Sequence, residues 1–240
     1  MDIKELERII KESKYIVFFG GAGVSTESGL KDFRGDTGLY KEKYMNITPE
    51  VILSHSYFVK NTEDFFEYYK EVFLRPRVNP NAAHKVLAQL EKMGKLKSII
   101  TQNIDNLHQE AGSKKVIELH GSVYRNYAID TKERYDGIDV ILKSEGVPKT
   151  ADGQIIRPDV ILYEEPLNQK TIDDAINEIK KADCLIVAGT SLVVYPAAGL
   201  LRHFNGKYLI GINRNLIDVP YFIKGDIGKV LSQINLEALK

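Results

Sequence analysis

Apolar side chains recur at helical spacing at Ile3, Leu6, Ile9 and Ile10, then give way to the unbroken run Tyr15-Ile16-Val17-Phe18-Phe19. The first pattern predicts an amphipathic helix, the second a strand buried on both faces. Similar short runs occur at Lys97 to Thr101, Val116 to Leu119, Val160 to Tyr163, Leu185 to Ala188 and Tyr208 to Ile212. Helical patterns separate most of them, at Asn81 to Met93, Ile104 to Glu110, Asn168 to Lys181 and Tyr195 to Phe204. This alternation predicts an α/β fold, a mostly parallel sheet with helices on both faces and ligands at the carboxyl ends of its strands.

Two stretches break the alternation. Residues 40 to 78 hold the helix start Thr48-Pro49 and the aromatics Phe58, Phe65, Phe66, Tyr68, Tyr69 and Phe73. They read as a helical subdomain packing on itself, with the wall of an apolar substrate channel as the alternative. Residues 123 to 157 carry β-like runs at Ile138 to Leu142 and Gln154 to Ile156, parted by turns at Asp136-Gly137 and Asp152-Gly153. We therefore expect a main domain of 1 to 39, 79 to 122 and 158 to 240, and a smaller inserted domain of 40 to 78 and 123 to 157.

Charge and cysteine usage narrow the function classes. Lysine plus arginine and aspartate plus glutamate are 33 each, leaving no basic footprint for nucleic acid. No apolar run approaches a membrane span, and the first residues are charged where a secretory leader would be apolar, so a cytoplasmic protein is expected. The single cysteine, Cys184, lies in an apolar run and reads as a small buried hydrophobe.

The candidate chemistry follows the first strand. Gly20-Gly21-Ala22-Gly23-Val24-Ser25-Thr26 suits a turn that brings backbone amides to a pyrophosphate at a helix N-terminus, although Thr26 stands where the dinucleotide fingerprint has a third glycine. Downstream lie Asp32-Phe33-Arg34, Thr101-Gln102-Asn103-Ile104-Asp105-Asn106-Leu107-His108, Leu119-His120-Gly121, Gly189-Thr190-Ser191-Leu192 and Gly211-Ile212-Asn213. In that order, from about Tyr15 to Asp226, the chain resembles the sirtuins, NAD-dependent protein-lysine deacylases.

The resemblance implies a Rossmann-like domain, NAD as co-substrate, acyl-lysine proteins or peptides as partners, and transfer of the acyl group to ADP-ribose with release of nicotinamide. His120 would be the general base for a ribose hydroxyl. Asn103 would position the ribose and the attacked carbon, Asp105 would accept from the nicotinamide amide with Ile104 beside it, and Gln102 would touch the ribose. Phe33 would cover the reacting centre and Arg34 would meet phosphate. Gly21, Ala22, Gly23 and Thr26 would form the phosphate end, with Gly189, Thr190 and Ser191 from another strand end. Asn213 would hold the adenosine ribose, and Asp226 and Ile227 would close over the adenine. Val160, Tyr163 and Glu164, facing Val193 and Val194, would dock the substrate backbone by strand addition, the Val160 carbonyl taking the acyl-lysine N–H. Asp105-Asn106 and Thr190-Ser191 also read as helix caps, His84 and His108 as structural; His55 and His203 carry no role.

Two departures qualify the resemblance. Most sirtuins hold zinc with two C-x-x-C pairs; here those pairs would fall at Ala128 and Thr131 and around Thr150 and Asp152, so no metal is expected. Tyr124, Tyr127, Tyr135, Ile138, Val140, Ile141, Leu142 and Ile155 are available for an apolar mini-core instead. The Tyr-x-x-Arg pair of succinyl-lysine specialists is also missing from 65 to 72, with Lys70 the one cation that could replace its arginine. An ADP-ribosyltransferase or NAD hydrolase on the same site, and a silent NAD-binding regulator, are the alternatives.

Overall fold

The computed structural model describes residues 1–32, 38–39, 44–192 and 196–239. Helix α1 (Ile3–Glu12) is capped by the Asp2 carboxylate, which accepts from the Glu5 amide, and buries Leu6, Ile9 and Ile10. Strand β1 (Ile16–Gly20) follows, fully buried. Helices α2 (Pro49–Ile52), α3 (His55–Lys60) and α4 (Thr62–Tyr69) form the aromatic stretch, and a π turn at Lys70–Leu74 ends it. Next come α5 (Ala82–Lys92), β2 (Leu96–Thr101), α6 (Leu107–Glu110) and β3 (Val116–Glu118). Strands β4 (Gly121–Ala128) and β5 (Arg134–Asp136), the single turn α7 (Asp139–Leu142) and β6 (Ile156–Val160) make the second irregular stretch. The chain closes with α8 (Gln169–Lys181), β7 (Cys184–Ala188), β8 (Tyr208–Asn213), β9 (Tyr221–Lys224) and α9 (Ile227–Leu231).

Six strands form one parallel sheet in the order β3-β2-β1-β7-β8-β9. The strand order reverses at β1, flanked by β2 and β7, which is where an open α/β sheet leaves a crevice at its carboxyl ends. Alternation along the strands separates two cores. Ile16 and Phe18 pack with α1, α5 and α9, while Val17 and Phe19 pack with α8 and the 3-10 stretch Ala197–His203. Cys184 is buried, and burial pushes its thiol up to about 12, so it is an inert hydrophobe.

A third apolar cluster lies away from this sheet. It joins Phe58, Phe65, Phe66 and Tyr69 of the helical stretch to Val123, Ile138, Ile141 and Val160 of a three-stranded antiparallel sheet ordered β5-β4-β6. Phe65 and Tyr69 stack with centroids 5.6 Å apart and are fully buried, so these aromatics build a core.

Several predicted elements change. The run Val160 to Tyr163 is not a strand of the main sheet; β6 ends at Val160 and pairs antiparallel with β4. Ile138 to Leu142 forms a helical turn, which brings Ile138 and Ile141 to one face and buries both, outweighing their β preference. The helix expected from Ile104 begins only at Leu107, after Asn106 at φ 65°. The strand–turn–helix expected after β1 is instead two 3-10 turns, Ala22–Val24 and Thr26–Ser28. Strands β4, β5 and β9 had no clear period-2 signal.

Candidate active site

The carboxyl ends of the central strands are stitched together by main-chain bonds. The Gly21 amide donates to the Ala188 carbonyl, Gly23 to Gly189, Gln102 to Gly20 and Leu119 to Thr101, at 2.9 to 3.1 Å. The glycines answer to this contact. A Cβ on Gly23 would stand 2.7 Å from the Gly189 Cα, and Gly189 itself has φ +63°. The turn after β1 thus lies directly against the turn after β7, and side chains on either would force them apart.

His120 follows β3, and its Nδ1 lies 2.9 Å from the Gln102 carbonyl oxygen. A carbonyl only accepts, so Nδ1 carries the hydrogen and Nε2 keeps a lone pair. Burial lowers the His120 pKa, opposed by this bond, so the ring is neutral at neutral pH. The His120 main-chain oxygen accepts from the Ile161 amide at 3.0 Å, tying the base to the segment after β6.

Asn103 and Asp105 meet through a residue that carried no role in the sequence. Ser25, 2% exposed, accepts from Asn103 Nδ2 at 3.1 Å and donates to Asp105 Oδ2 at 2.6 Å. Only its place in the motif Gly23-Val24-Ser25 could have pointed to it. Asp105 Oδ1 accepts from the Leu107 amide at 3.0 Å, so Asp105 caps α6 while the Asn106 side chain makes no cap bond. Burial raises the Asp105 pKa, opposed by the Ser25 and Leu107 bonds. Beside it lies a narrow cavity of about 60 Å³ walled by Leu30, Phe73, Leu107, Val123 and Tyr124.

The other predicted residues divide. Gln102 Nε2 donates to Thr190 Oγ1 at 3.3 Å, and Asn213 Nδ2 to the Thr190 carbonyl at 3.3 Å, so β2, β7 and β8 converge on Thr190. Thr190 Oγ1 also accepts from the Leu192 amide, which leaves its own proton to donate outward. The Thr26 hydroxyl spends its proton on the Gly23 carbonyl at 3.0 Å. Ala22 is partly exposed and Ser191 exposed. Asp226 pairs with Arg214 at 2.6 Å and Lys229 at 2.7 Å, and the Ile227 side chain is buried in the core, so Ile227 offers an adenine only its backbone. Phe33, Arg34, Val193 and Val194 lie outside the described residues.

The expected docking segment is already hydrogen-bonded. The Val160 carbonyl accepts from Arg157 Nη2 at 3.0 Å, which occupies one of its two lone pairs. Tyr163 pairs through its amide with Leu53 and through its carbonyl with His55, which removes its backbone from strand addition. Glu164, at φ 75°, accepts from the Ser56 amide and hydroxyl at the start of α3. Among the described residues no hydrogen bond falls on the Ile161 carbonyl.

Where two zinc-binding pairs were expected to be missing, polar contacts hold the module. Asn126, 1% exposed, donates to the Tyr135 and Gly137 carbonyls, and Lys70 Nζ reaches across from the π turn to the Ser144 and Gly146 carbonyls at 2.7 and 2.8 Å. Lys70 is therefore committed to the module. Among the described residues no group of three or more His, Cys, Asp or Glu side chains is placed to hold a metal ion. His84 and His108 are buried with ring centroids 4.8 Å apart.

Comparisons with known proteins agree on one family. Residues 21–196 match the family model described as Sir2 family. An NAD-dependent protein deacetylase of Clostridium perfringens is 55% identical over 239 residues, covering 97% of this chain and 98% of that protein. One of Clostridium acetobutylicum is 52% identical, covering 97% of each. A solved Sir2 variant with a deacetylated p53 peptide and 3′-O-acetyl ADP-ribose superposes with TM-score 0.88 at 37% identity, over 100% of this chain and 99% of that one. A Sir2 complex with a p53 peptide and NAD+ gives TM-score 0.86 at 36% identity, over 99% of each.

Proposed function

The chain belongs to the Sir2 family and is an NAD-dependent protein deacetylase acting on acyl-lysine proteins or peptides, and within that activity we propose that His120 is the general base and Asn103 the residue that orients the reacting ribose. The observation that carries this reading is the held tautomer: with Nδ1–H fixed on the Gln102 carbonyl, the Nε2 lone pair of a neutral ring is available to take a proton.

The residues at the strand ends suit NAD. Main-chain turns approach with no room for a Cβ, and partly exposed hydroxyl and amide groups of Thr190, Gln102 and Asn213 stand around them. When bound, NAD supplies the ribose carbon that takes the acyl oxygen as nicotinamide leaves. His120 then removes a ribose hydroxyl proton at Nε2. Asn103 is held by Ser25, so its carboxamide orientation is set before the ligands arrive, and Asp105 retains lone pairs for an amide donor. Gly21, Ala22, Gly23, Gly189, Thr190 and Ser191 form the phosphate end, with Asn213 and Asp226 toward the adenosine. The acyl-lysine docks along Val160 and Ile161, beside the turn that carries Tyr163 and Glu164, and its N–H finds an acceptor at the second lone pair of Val160 or at the Ile161 carbonyl, on which no hydrogen bond falls among the described residues.

The division into a main domain and a small domain, with boundaries at 39/40, 78/79, 122/123 and 157/158, belongs to the same proposal. The separate apolar cluster supports the division, although that cluster and strands β4 and β6 run past 122/123 and 157/158 to Gly121, Val160 and Leu162. No helix among the described residues is long and apolar enough to cross a membrane. We place the protein in the cytoplasm, a reading supported by the single, buried cysteine.

The test is His120→Ala. It should lower deacetylation of an acetyl-lysine peptide by about 10²- to 10⁴-fold, the usual worth of a general base, while NAD binding measured by calorimetry persists. Unchanged turnover in that variant would remove His120 from the chemistry.

A further inference from the structure

We infer that Arg157 is the positioning residue of the acyl-peptide site: through Glu165 and the Val160 carbonyl, its guanidinium holds segment 160 to 165 against His120. The inference rests on the proposed docking of substrate along that segment. Regular pairing stops at Val160, where β6 ends, so the five residues that follow have no ladder to fix them. Their shape depends on discrete bonds: Ile161 to the His120 carbonyl, Tyr163 to Leu53 and His55, Glu164 to Ser56, and, at the two ends of the segment, bonds from Val160 and Glu165 to one guanidinium.

Arg157 is 7% exposed and donates from all three nitrogens of its fork. Nη1 meets Glu165 Oε1 at 2.7 Å and Nη2 meets Glu165 Oε2 at 3.1 Å, a bidentate pair. Nη2 also donates to the Val160 carbonyl at 3.0 Å, and Nε to the Pro158 carbonyl at 3.3 Å. Glu165 Oε2 in turn accepts from the Leu162 amide at 2.9 Å, so the pair closes the turn from both ends. The guanidinium lies over the Phe58 ring at 5.2 Å and the Tyr127 ring at 5.6 Å. Phe58 belongs to the helical stretch and Tyr127 to β4, so one cation joins both halves of the small domain to the segment beside the base. His55 Nδ1, from the start of α3, completes the set on Glu165 Oε1 at 2.9 Å.

A buried ion pair is a poor source of stability, since apolar residues of similar volume commonly replace one without loss. A stabilising role alone therefore does not account for this arrangement. Its bonds fall on the carbonyl of Val160 and the amide of Leu162, which flank Ile161, whose amide bonds the His120 carbonyl oxygen at 3.0 Å. A planar, five-donor fork grips a carboxylate with two parallel N–H groups while keeping another for a carbonyl, a fixed bidentate geometry that a lysine's single ammonium does not offer.

The experiment compares wild-type enzyme with Arg157→Lys and with the double variant Arg157→Met/Glu165→Leu, whose apolar pair preserves the packing. Peptide KM is expected to rise at least about tenfold in the double variant and less in Arg157→Lys, with NAD Kd within about twofold of wild type. Should the double variant fail to bind NAD, Glu165→Gln replaces it under a threefold criterion for peptide KM. A peptide KM within twofold of wild type in a variant that binds NAD normally overturns the proposal. A photoreactive acetyl-lysine peptide is crosslinked to the wild type in parallel. Labelling within 160 to 164 with unchanged variant KM removes the positioning role alone. Labelling confined elsewhere removes the docking reading and this proposal with it.

Discussion

Lys70→Met tests how the small domain holds together without a zinc site. Methionine keeps an apolar stem of similar length but leaves the Ser144 and Gly146 carbonyls without their ammonium donor. Hydrogen bonds to a charged partner contribute about 1.5 to 3 kcal/mol each. Lys70 is half-buried and desolvation lowers its pKa, so part of that gain is offset, and a net loss of about 2 kcal/mol for the two together is the reasonable figure. For a chain of this size each kcal/mol moves the melting temperature by roughly 2 to 4 °C, which predicts a drop of about 4 to 8 °C. If the module opens locally, the same 2 kcal/mol corresponds to about 30-fold faster hydrogen exchange. Scanning calorimetry and exchange mass spectrometry over residues 139 to 147 read both effects. A melting temperature within about 1 °C of wild type, with exchange unchanged there, would refute the reasoning.

The purified protein should contain no stoichiometric zinc, and a chelator should leave its melting temperature and rate unchanged; one dialysis-resistant zinc per chain in elemental analysis would overturn this. Acid should destabilise the fold through two histidines. Burial lowers His84 to about 4 and, first through burial and then through His84, lowers His108 to about 3, whereas both titrate near ~6.5 unfolded. Between about pH 6 and 4.5 the unfolded chain binds more protons, so stability falls with falling pH, by up to about 2.7 kcal/mol per unit for the pair. His108→Phe should halve that slope in urea titrations at pH 5.5 and 4.5; an unchanged slope would clear His108. Acetyl-lysine and longer neutral acyl-lysines should be accepted and succinyl-lysine should be poor, because Lys70 is engaged elsewhere and a buried carboxylate without a cation costs several kcal/mol. A succinyl-peptide kcat/KM above the acetyl and myristoyl values would sink that expectation.

The main sheet was legible in the chain because its evidence is local and repeated. Runs such as Ile16 to Phe19 and Leu185 to Ala188 are apolar on both faces, as strands covered by helices on both sides must be, and the helical spacing of Leu6, Ile9 and Ile10 matches the face α1 buries. Motifs at successive strand ends then placed His120, Asn103 and Asp105 at one crevice, since parallel strands carry their carboxyl ends to the same edge.

Tertiary structure decided what depends on partners distant in sequence. Ile138 to Leu142 has strand-like residues, but burial against the aromatic helices favours a helical turn. Gly23 looks like a phosphate-turn glycine; its nearest constraint is the backbone of Gly189, brought close only by β1 pairing with β7. Lys70 looked free to meet an acyl carboxylate until folding set it against the Ser144 and Gly146 carbonyls, 74 and 76 residues away. For the same reason Ser25 could not be given a role, nor Arg157 more than a place in the expected docking strand Arg157-Pro158-Asp159-Val160. A single residue's chemistry states what it can donate or accept, and only the folded chain determines which groups stand within 3 Å to receive it.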